Sequence, residues 1–400
     1  METYSLKNRR VRRIITVQLI FVLIALFANG GILSVHDPDS NNNLNFNVNG
    51  TTTASATNTN NYDAPSYCDH EGSLHQIALD MFHHSSPPGS ASYNKLKHVL
   101  GLSEFFYTSL GAPIFSKNEH MLKKMLEGMG LVHVDMKSLG GMVGKTEVIL
   151  VETYKTQSSC PLVPPKPDCH DQPRIFIQTE QKINWHYQKY CHASPNCVIL
   201  EFSDFNRNKF EEEGMHESIV LLPVMTQTPS RISQFLPEVP KIIQERNIDM
   251  VFFGLITNRR TGLSKAAVEH GKTHPNSKVI VTKAKELRHI SKSYQEAKVC
   301  LLMHSYTSHC GGEYHRMSEF GPFGCIPVME KFADTVGIHA YEKCGGAIFT
   351  NSTHVIPTAA GVVEQIDKGL YNNRSQDIIN WWKKGIRWET ILPTVYPVPS

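Results

Sequence analysis

Residues 298–334 read KVCLLMHSYTSHCGGEYHRMSEFGPFGCIPVMEKFAD. An apolar run, VCLLMHS, passes into a polar loop from Tyr306 to Gly312. A short helical stretch follows from Glu313 and stops at Gly321-Pro322, and a second apolar run, CIPVM, begins at once. Short β-branched runs bounded by turn residues read as buried strands. Strand, helix and strand in this order is the βαβ unit of a parallel sheet.

The alternation extends outward in both directions. Strands are expected at 147–152, 174–178, 197–201, 218–222, 249–255, 278–282, 297–302, 325–329 and 346–349. Helices are expected at 239–247, 262–270, 284–296, 313–321, 357–368 and 375–386. The series breaks near 223–238, where VMTQTPSRISQFLPEVP carries three prolines. The pattern predicts an α/β chain built as two Rossmann-like domains with a central cleft, ligands binding at the carboxyl ends of the strands. The domains are expected at 91–235 and 236–373, with a C-terminal helix and tail at 374–400.

The chain has 400 residues, with 40 Lys+Arg against 37 Asp+Glu. That length allows two or three domains and excludes a disulfide mini-protein. The basic excess is local: residues 1–13 hold Lys7, Arg9, Arg10, Arg12 and Arg13 against Glu2, and the remainder carries 35 basic and 36 acidic groups. There is no polybasic nucleic-acid footprint. The apolar run from Ile14 to Val35 is long enough for a membrane helix, and the positive charge before it stays cytoplasmic. The expected arrangement is a cytoplasmic tail at 1–13, a signal anchor at 14–35 and a stem at 36–90, with the rest luminal. A cleaved signal peptide, cut near Ala28-Asn29-Gly30, is the competing reading. The stretch 36–66 is rich in Asn, Thr and Ser and is expected to be disordered.

All nine cysteines follow that stretch, and in an oxidising lumen some are expected to pair. Cys160 and Cys169 bracket one short loop, and Cys191 and Cys197 bracket another. Sequons stand at Asn49, Asn351 and Asn373 and permit N-glycosylation.

Several chemistries are disfavoured by absence. There is no G-x-S-x-G elbow, no H-E-x-x-H and no G-x-G-x-x-G after a strand. GGMVGKT at 140–146 misses the P-loop spacing and precedes a strand instead of following one. His270 and His274 have ligand spacing but run into Pro275 at a helix end. No well-placed D-x-D is available to hold Mn²⁺. Trp381-Trp382 reads as a packed helix face.

The residues that remain cluster at strand ends. The loop before residue 313 and the helix N-terminus suit a diphosphate, with Arg316 one turn in. Glu319 lies three residues further on the same face, where it serves either two ribose hydroxyls or a surface pair with Arg316. In DMVFFGLITNRR, 249–260, a strand ends in Gly254 and a turn carrying Arg259 and Arg260, which face the cleft or solvent. In RIFIQTEQ, 174–181, Glu180 follows a strand, as a general base or a helix cap. The run 201–208 likewise presents Asp204 and Asn206 at a strand end.

The order FFG-x4-RR at 252–260, AKVCLLMHS at 297–305 and E-x-HR-x2-E-x4-GCIPVM at 313–329 resembles GT-B glycosyltransferases. It is most similar to the group-1-related, spore-maturation-protein-like transferases, as is RIFIQTEQ…VILEFSDFN at 174–206. GCIPVM also resembles the exostosin family, whose members are type II Golgi proteins. The resemblance implies a transferase moving a sugar from a nucleotide-sugar donor to a hydroxyl of a glycan, protein or lipid. Arg259, Arg260 and Arg316 would meet the diphosphate and Glu319 the ribose. Glu313 stands two residues from the place of the family's second glutamate, which is Gly311 here. His315 would serve the leaving group or the sugar. No metal or cofactor is implied, the nucleotide-sugar being substrate, and the location would be the Golgi or ER membrane. The alternative is a non-catalytic luminal carbohydrate-binding protein that keeps the GT-B shell.

Overall fold

The computed structural model describes residues 64–101, 104–107, 123–129, 131–134, 145–150, 173–178, 185–222, 234–283, 287–305, 311–312 and 314–395. The chain enters through helices α1 (Ala64–Asp69), α2 (Leu74–Ser85) and α3 (Ala91–Leu100). The first sheet is built from β1 (Glu104–Tyr107), β2 (Val132–His133), β3 (Lys145–Leu150), β4 (Arg174–Ile177), β5 (Cys197–Glu201) and β6 (Ile219–Leu221). Helix α4 (Trp185–Ala193) precedes β5, and α5 (Asp204–Glu212) follows it. The second sheet comprises β7 (Ile248–Phe253), β8 (Val279–Thr282), β9 (Ala297–Leu302), β10 (Ile326–Glu330) and β11 (Ile348–Thr350). Its connections are helices α6 (Thr261–Thr273), α7 (Leu287–Glu296), α8 (Tyr314–Phe320) and α9 (Ile338–Lys343). Helices α10 (Val355–Asp367), α11 (Asn372–Lys384) and α12 (Trp388–Val395) complete the described chain.

Every strand pairing among the described residues is parallel. The orders are β2-β1-β3-β4-β5-β6 and β11-β10-β9-β7-β8. Parallel strands covered on both faces need continuous apolar sequence. That is why β4, β5, β9 and β10 are buried along their whole length. Helix α10 buries Val355, Ile356, Ala359, Val362 and Ile366, one stripe at helical spacing, and packs on β9. Trp381 and Trp382 are buried on α11, as a packed face requires.

Three differences from the expected elements have local causes. Positions 64–90, assigned to the stem, form α1, α2 and the start of the cap of α3. Ser73 caps α2 by accepting the Gln76 amide, and Leu74, Ile77, Ala78, Met81 and Phe82 give it an apolar face that is buried. The helix expected at 239–247 is a single 3₁₀ turn, Ile243–Glu245, with Pro237 and Pro240 just before it. Strands β1 and β2, only four and two residues long, escape a periodicity search.

Among the described cysteines three pairs are bonded: Cys68–Cys344, Cys191–Cys197 and Cys300–Cys325. The loop-bracketing pair Cys191–Cys197 matches the expectation. Cys160 and Cys169 lie outside the described residues, as does Asn49. Asn351 and Asn373 are exposed. No helix among the described residues is long and apolar enough to cross a membrane, and the segment 14–35 is not among them.

Cys68–Cys344 spans 276 residues and fastens α1 beside α9. The Trp381 indole also donates to Gly72 carbonyl at 2.8 Å, so the entry helices are bound to the second sheet's helices. Cys344→Ser is expected to cost about 2–4 kcal/mol, because the crosslink restrains a long loop in the unfolded chain. Denaturant unfolding of the oxidised protein measures this, and a midpoint equal to wild type would contradict it.

Candidate functional site

In the second sheet, β8 lies on one side of β7 and β9 on the other. The strands stay parallel, but the order in which the chain adds them reverses at β7, which opens a crevice beyond the carboxyl ends of β7 and β9. Parallel strands end there in carbonyl groups with no further ladder partner. Three arginines converge on those carbonyls.

Arg260 is fully buried. Its Nε donates to Met303 carbonyl at 2.7 Å and an Nη to Leu255 carbonyl at 3.2 Å. Its guanidinium carbon lies 5.2 Å from the centre of the Phe252 ring. Arg259, one residue earlier in the turn, points elsewhere. It donates to His304 carbonyl at 3.1 Å and forms a two-pronged ion pair with Glu330. The side chain of Glu330 is 2% exposed and that of Arg259 21%. Glu330 also accepts the His304 amide at 3.1 Å. Thr257 hydroxyl donates to Ser305 carbonyl at 3.2 Å, and His304 Nε2 pairs with Lys331 carbonyl at 3.2 Å. The turn after β7 is thereby stitched to the ends of β9 and β10.

Arg316 reaches the same place from α8 and donates to Phe253 carbonyl at the end of β7. Gly254 leaves room for it, since a Cβ there would lie 3.0 Å from an Arg316 Nη. Glu319 is half-buried on α8. Tyr294 of α7 senses both: burial raises its hydroxyl pKa, the Glu319 charge raises it further, and the Arg316 charge opposes. The Tyr294 ring packs edge-on against Phe253 and Phe320, which locks α7, α8 and β7 together.

Arg259, Arg260 and Arg316 are thus brought together as the sequence indicates, but their burial differs. Arg260, expected on a diphosphate, has its guanidinium enclosed and turned to carbonyls. The loop before α8, also expected to meet a diphosphate, spends the Gly312 amide on Asp334, at 2.6 Å. Glu313 and Glu180 lie outside the described residues, and His315 is described only as backbone within α8. Asp204 and Asn206 are buried on α5. Among the described residues no group of three His, Cys, Asp or Glu side chains is placed to hold a metal ion.

Sequence reasoning missed Glu330, His304 and Asp334. For Glu330 a signal exists: it is an acid at the end of an apolar strand in the same sheet as the strand that delivers two arginines. Asp334 and His304 carry no comparable local signal.

The sequence matches no family model and no curated protein. Its fold is similar to solved structures at low identity. An alpha-glucosyltransferase in complex with UDP and a 13-mer DNA containing an HMU base shows 10% identity and a TM-score of 0.47, over 74% of this chain and 98% of that one. Arabidopsis thaliana UGT89C1 complexed with quercetin shows 10% identity and a TM-score of 0.36, over 74% and 98%. A glycosyltransferase from Rickettsia africae shows 11% identity and a TM-score of 0.38, over 77% and 94%. The likeness at this identity and TM-score is one of outline alone.

Proposed function

We propose that this protein is a glycosyltransferase of GT-B type that moves a sugar from a nucleotide-sugar to a hydroxyl on a glycan, protein or lipid. The observation that carries the reading is Arg259. It is a partly exposed guanidinium at the reversal point of a parallel sheet, oriented by a buried carboxylate and a carbonyl. Two of its donors serve Glu330 and a further one His304 carbonyl, so its fork is fixed before any ligand arrives.

In the proposed reaction an acceptor hydroxyl attacks the anomeric carbon, its proton passes to Glu180 as the proposed base, and the bond to the diphosphate breaks. The charge that gathers on the leaving diphosphate is met by Arg259, with Arg316 behind it, as fixed cations that need no reorganisation. Arg260 acts one step back, holding the turn that aims Arg259. Glu319 remains the proposed ribose partner. The three disulfides among the described residues favour an oxidising compartment, in keeping with a luminal enzyme on an N-terminal anchor in the Golgi or ER.

Calorimetry of the full chain with UDP, GDP and ADP tests the donor site. Binding of one of them in the micromolar range is expected. Arg259→Lys keeps a charge for Glu330 but loses the fork, and should weaken that binding by about 1.5–3 kcal/mol, the value of one charged hydrogen bond. No binding by any of the three, together with binding of a free oligosaccharide, would give the answer to the non-catalytic carbohydrate-binding reading.

A further inference from the structure

The carboxyl end of β5 in the first sheet meets the segment beyond β10 of the second. Asp334, four residues past β10, is 2% exposed. Its Oδ1 accepts the Ser203 hydroxyl at 2.5 Å and the Phe205 amide at 3.2 Å. Its Oδ2 accepts the Gly312 amide at 2.6 Å and the Tyr314 hydroxyl at 2.9 Å. Asp204, equally buried, answers from the other side. Its carboxylate accepts the amides of Thr335, at 3.0 and 2.9 Å, and of Val336, at 3.3 Å, as well as the Thr335 hydroxyl. Gly311 permits the approach, since a Cβ there would fall 2.6 Å from both Cβ and Oγ of Ser203.

A third acid closes the cluster. Glu201, the last residue of β5, is fully buried. Its Oε1 accepts the amides of Phe202 and Ser203 at 2.9 and 3.1 Å and the Asn206 side chain at 3.4 Å, while its Oε2 has no hydrogen-bond partner. The titratable groups that bear on Asp334 come from four elements: Glu201 of β5, Asp204 of α5, Tyr314 of α8 and Tyr341 of α9. All four are acids. Burial first, then the Asp204 charge, pushes the Asp334 carboxyl up to about 7. Burial pushes Glu201 up to about 8 against the pull of its hydrogen bonds. Burial, with Asp334 beside them, raises both tyrosines, so Tyr314 stays a neutral hydroxyl that donates to ionised Asp334 and accepts from it once the carboxyl carries its proton.

We propose that Glu201, Asp204 and Asp334 form a proton-operated latch between the two sheets, which holds the seam shut while it carries protons and loosens as it gives them up. The direction follows from proton counting. In an opened seam water returns each carboxyl to its ordinary range, about 4. The shut seam then holds the additional proton of Asp334 from that range up to about pH 7, and that of Glu201 up to about pH 8. Opening releases these protons, so its equilibrium constant rises about tenfold per pH unit for each proton released. The shut form is strongest in mild acid and weakest in mild base. Above pH 8 both groups are ionised in either state and the dependence ends.

Hydrogen exchange of the full chain tests this at the four amides that donate into the aspartates: Phe205, Gly312, Thr335 and Val336. After correction for intrinsic exchange, their opening constant should rise about tenfold or more per unit between about pH 5.5 and pH 7 and level off above about pH 8. Amides of β9 should show no such slope. Asp334→Asn should reduce the slope by one proton. An opening constant at the four wild-type amides that does not change with pH overturns the latch, whether or not the variant folds. An Asp334→Asn protein that folds and keeps the full slope overturns it as well.

Discussion

Glu330→Ala is expected to destabilise the protein by about 3–5 kcal/mol, the range found when one partner of a buried ion pair is removed. Glu330 is 2% exposed and serves three donors: two nitrogens of Arg259 and the His304 amide. Alanine leaves the guanidinium without its counter-charge and the His304 amide without its acceptor. Because the Arg259 side chain is 21% exposed, water recovers part of the loss, and the lower half of the range is expected. Glu330→Gln keeps the shape and one acceptor oxygen, and should lose roughly half as much. Urea unfolding of the three proteins gives the order directly. An alanine variant within 0.5 kcal/mol of wild type, about the spread of ordinary surface changes, would mean that the pair is not formed in solution.

The two glutamate variants also report on the site. In the resting protein Glu330 cancels the charge of Arg259, so an anionic ligand meets an oriented fork and not a free cation. In Glu330→Gln the net charge at the strand ends rises by one and one prong of the fork is lost, since the amide nitrogen cannot accept. If Arg259 meets a diphosphate, that variant should bind nucleoside diphosphates at least as tightly as wild type, with a steeper salt dependence.

How much of this was readable without coordinates depends on the range of the interaction. Strands β5, β9 and β10 are legible to within a residue because burial on both faces demands runs dominated by Val, Ile, Leu and Cys. Helices α6, α10 and α11 followed from their apolar stripes. The entry helices were not legible, because the Asn- and Thr-rich stretch before them shifted the assigned boundary past α2. Its HQIALDMFHHS is an amphipathic helix only once something covers its apolar face.

The site divides in the same way. Adjacent arginines after a buried strand are a local signal, and they do stand at the strand ends. Which of the two is enclosed is not local. It depends on Met303 and Leu255 carbonyls for one and on Glu330, 71 positions on, for the other. Ser203 and Asp334 are 131 positions apart, and Cys68 and Cys344 are 276 apart. Of the bonded cysteines only the six-residue pair, with a turn between its members, could be paired from spacing.

Arg260 provides the sharpest separation between the sequence reading and the structure. As a diphosphate ligand, its replacement would weaken nucleotide binding and leave the fold intact. As the enclosed group described above, its replacement should act on the fold. Arg260→Ala strands the buried Met303 carbonyl, removes the donor to the Leu255 carbonyl at the exposed turn, and empties the space beside Phe252. The orphaned buried acceptor alone costs about 1–3 kcal/mol, so the loss should be at least of that size. Arg260→Lys should recover little, because a single ammonium cannot span both carbonyls in the plane that the guanidinium fits. Unfolding midpoints and nucleotide titrations on the same samples separate the two roles. A variant with wild-type stability and lost nucleotide affinity would return Arg260 to the ligand. A less stable variant whose folded fraction still binds would place it in the scaffold, with Arg259 left as the contact.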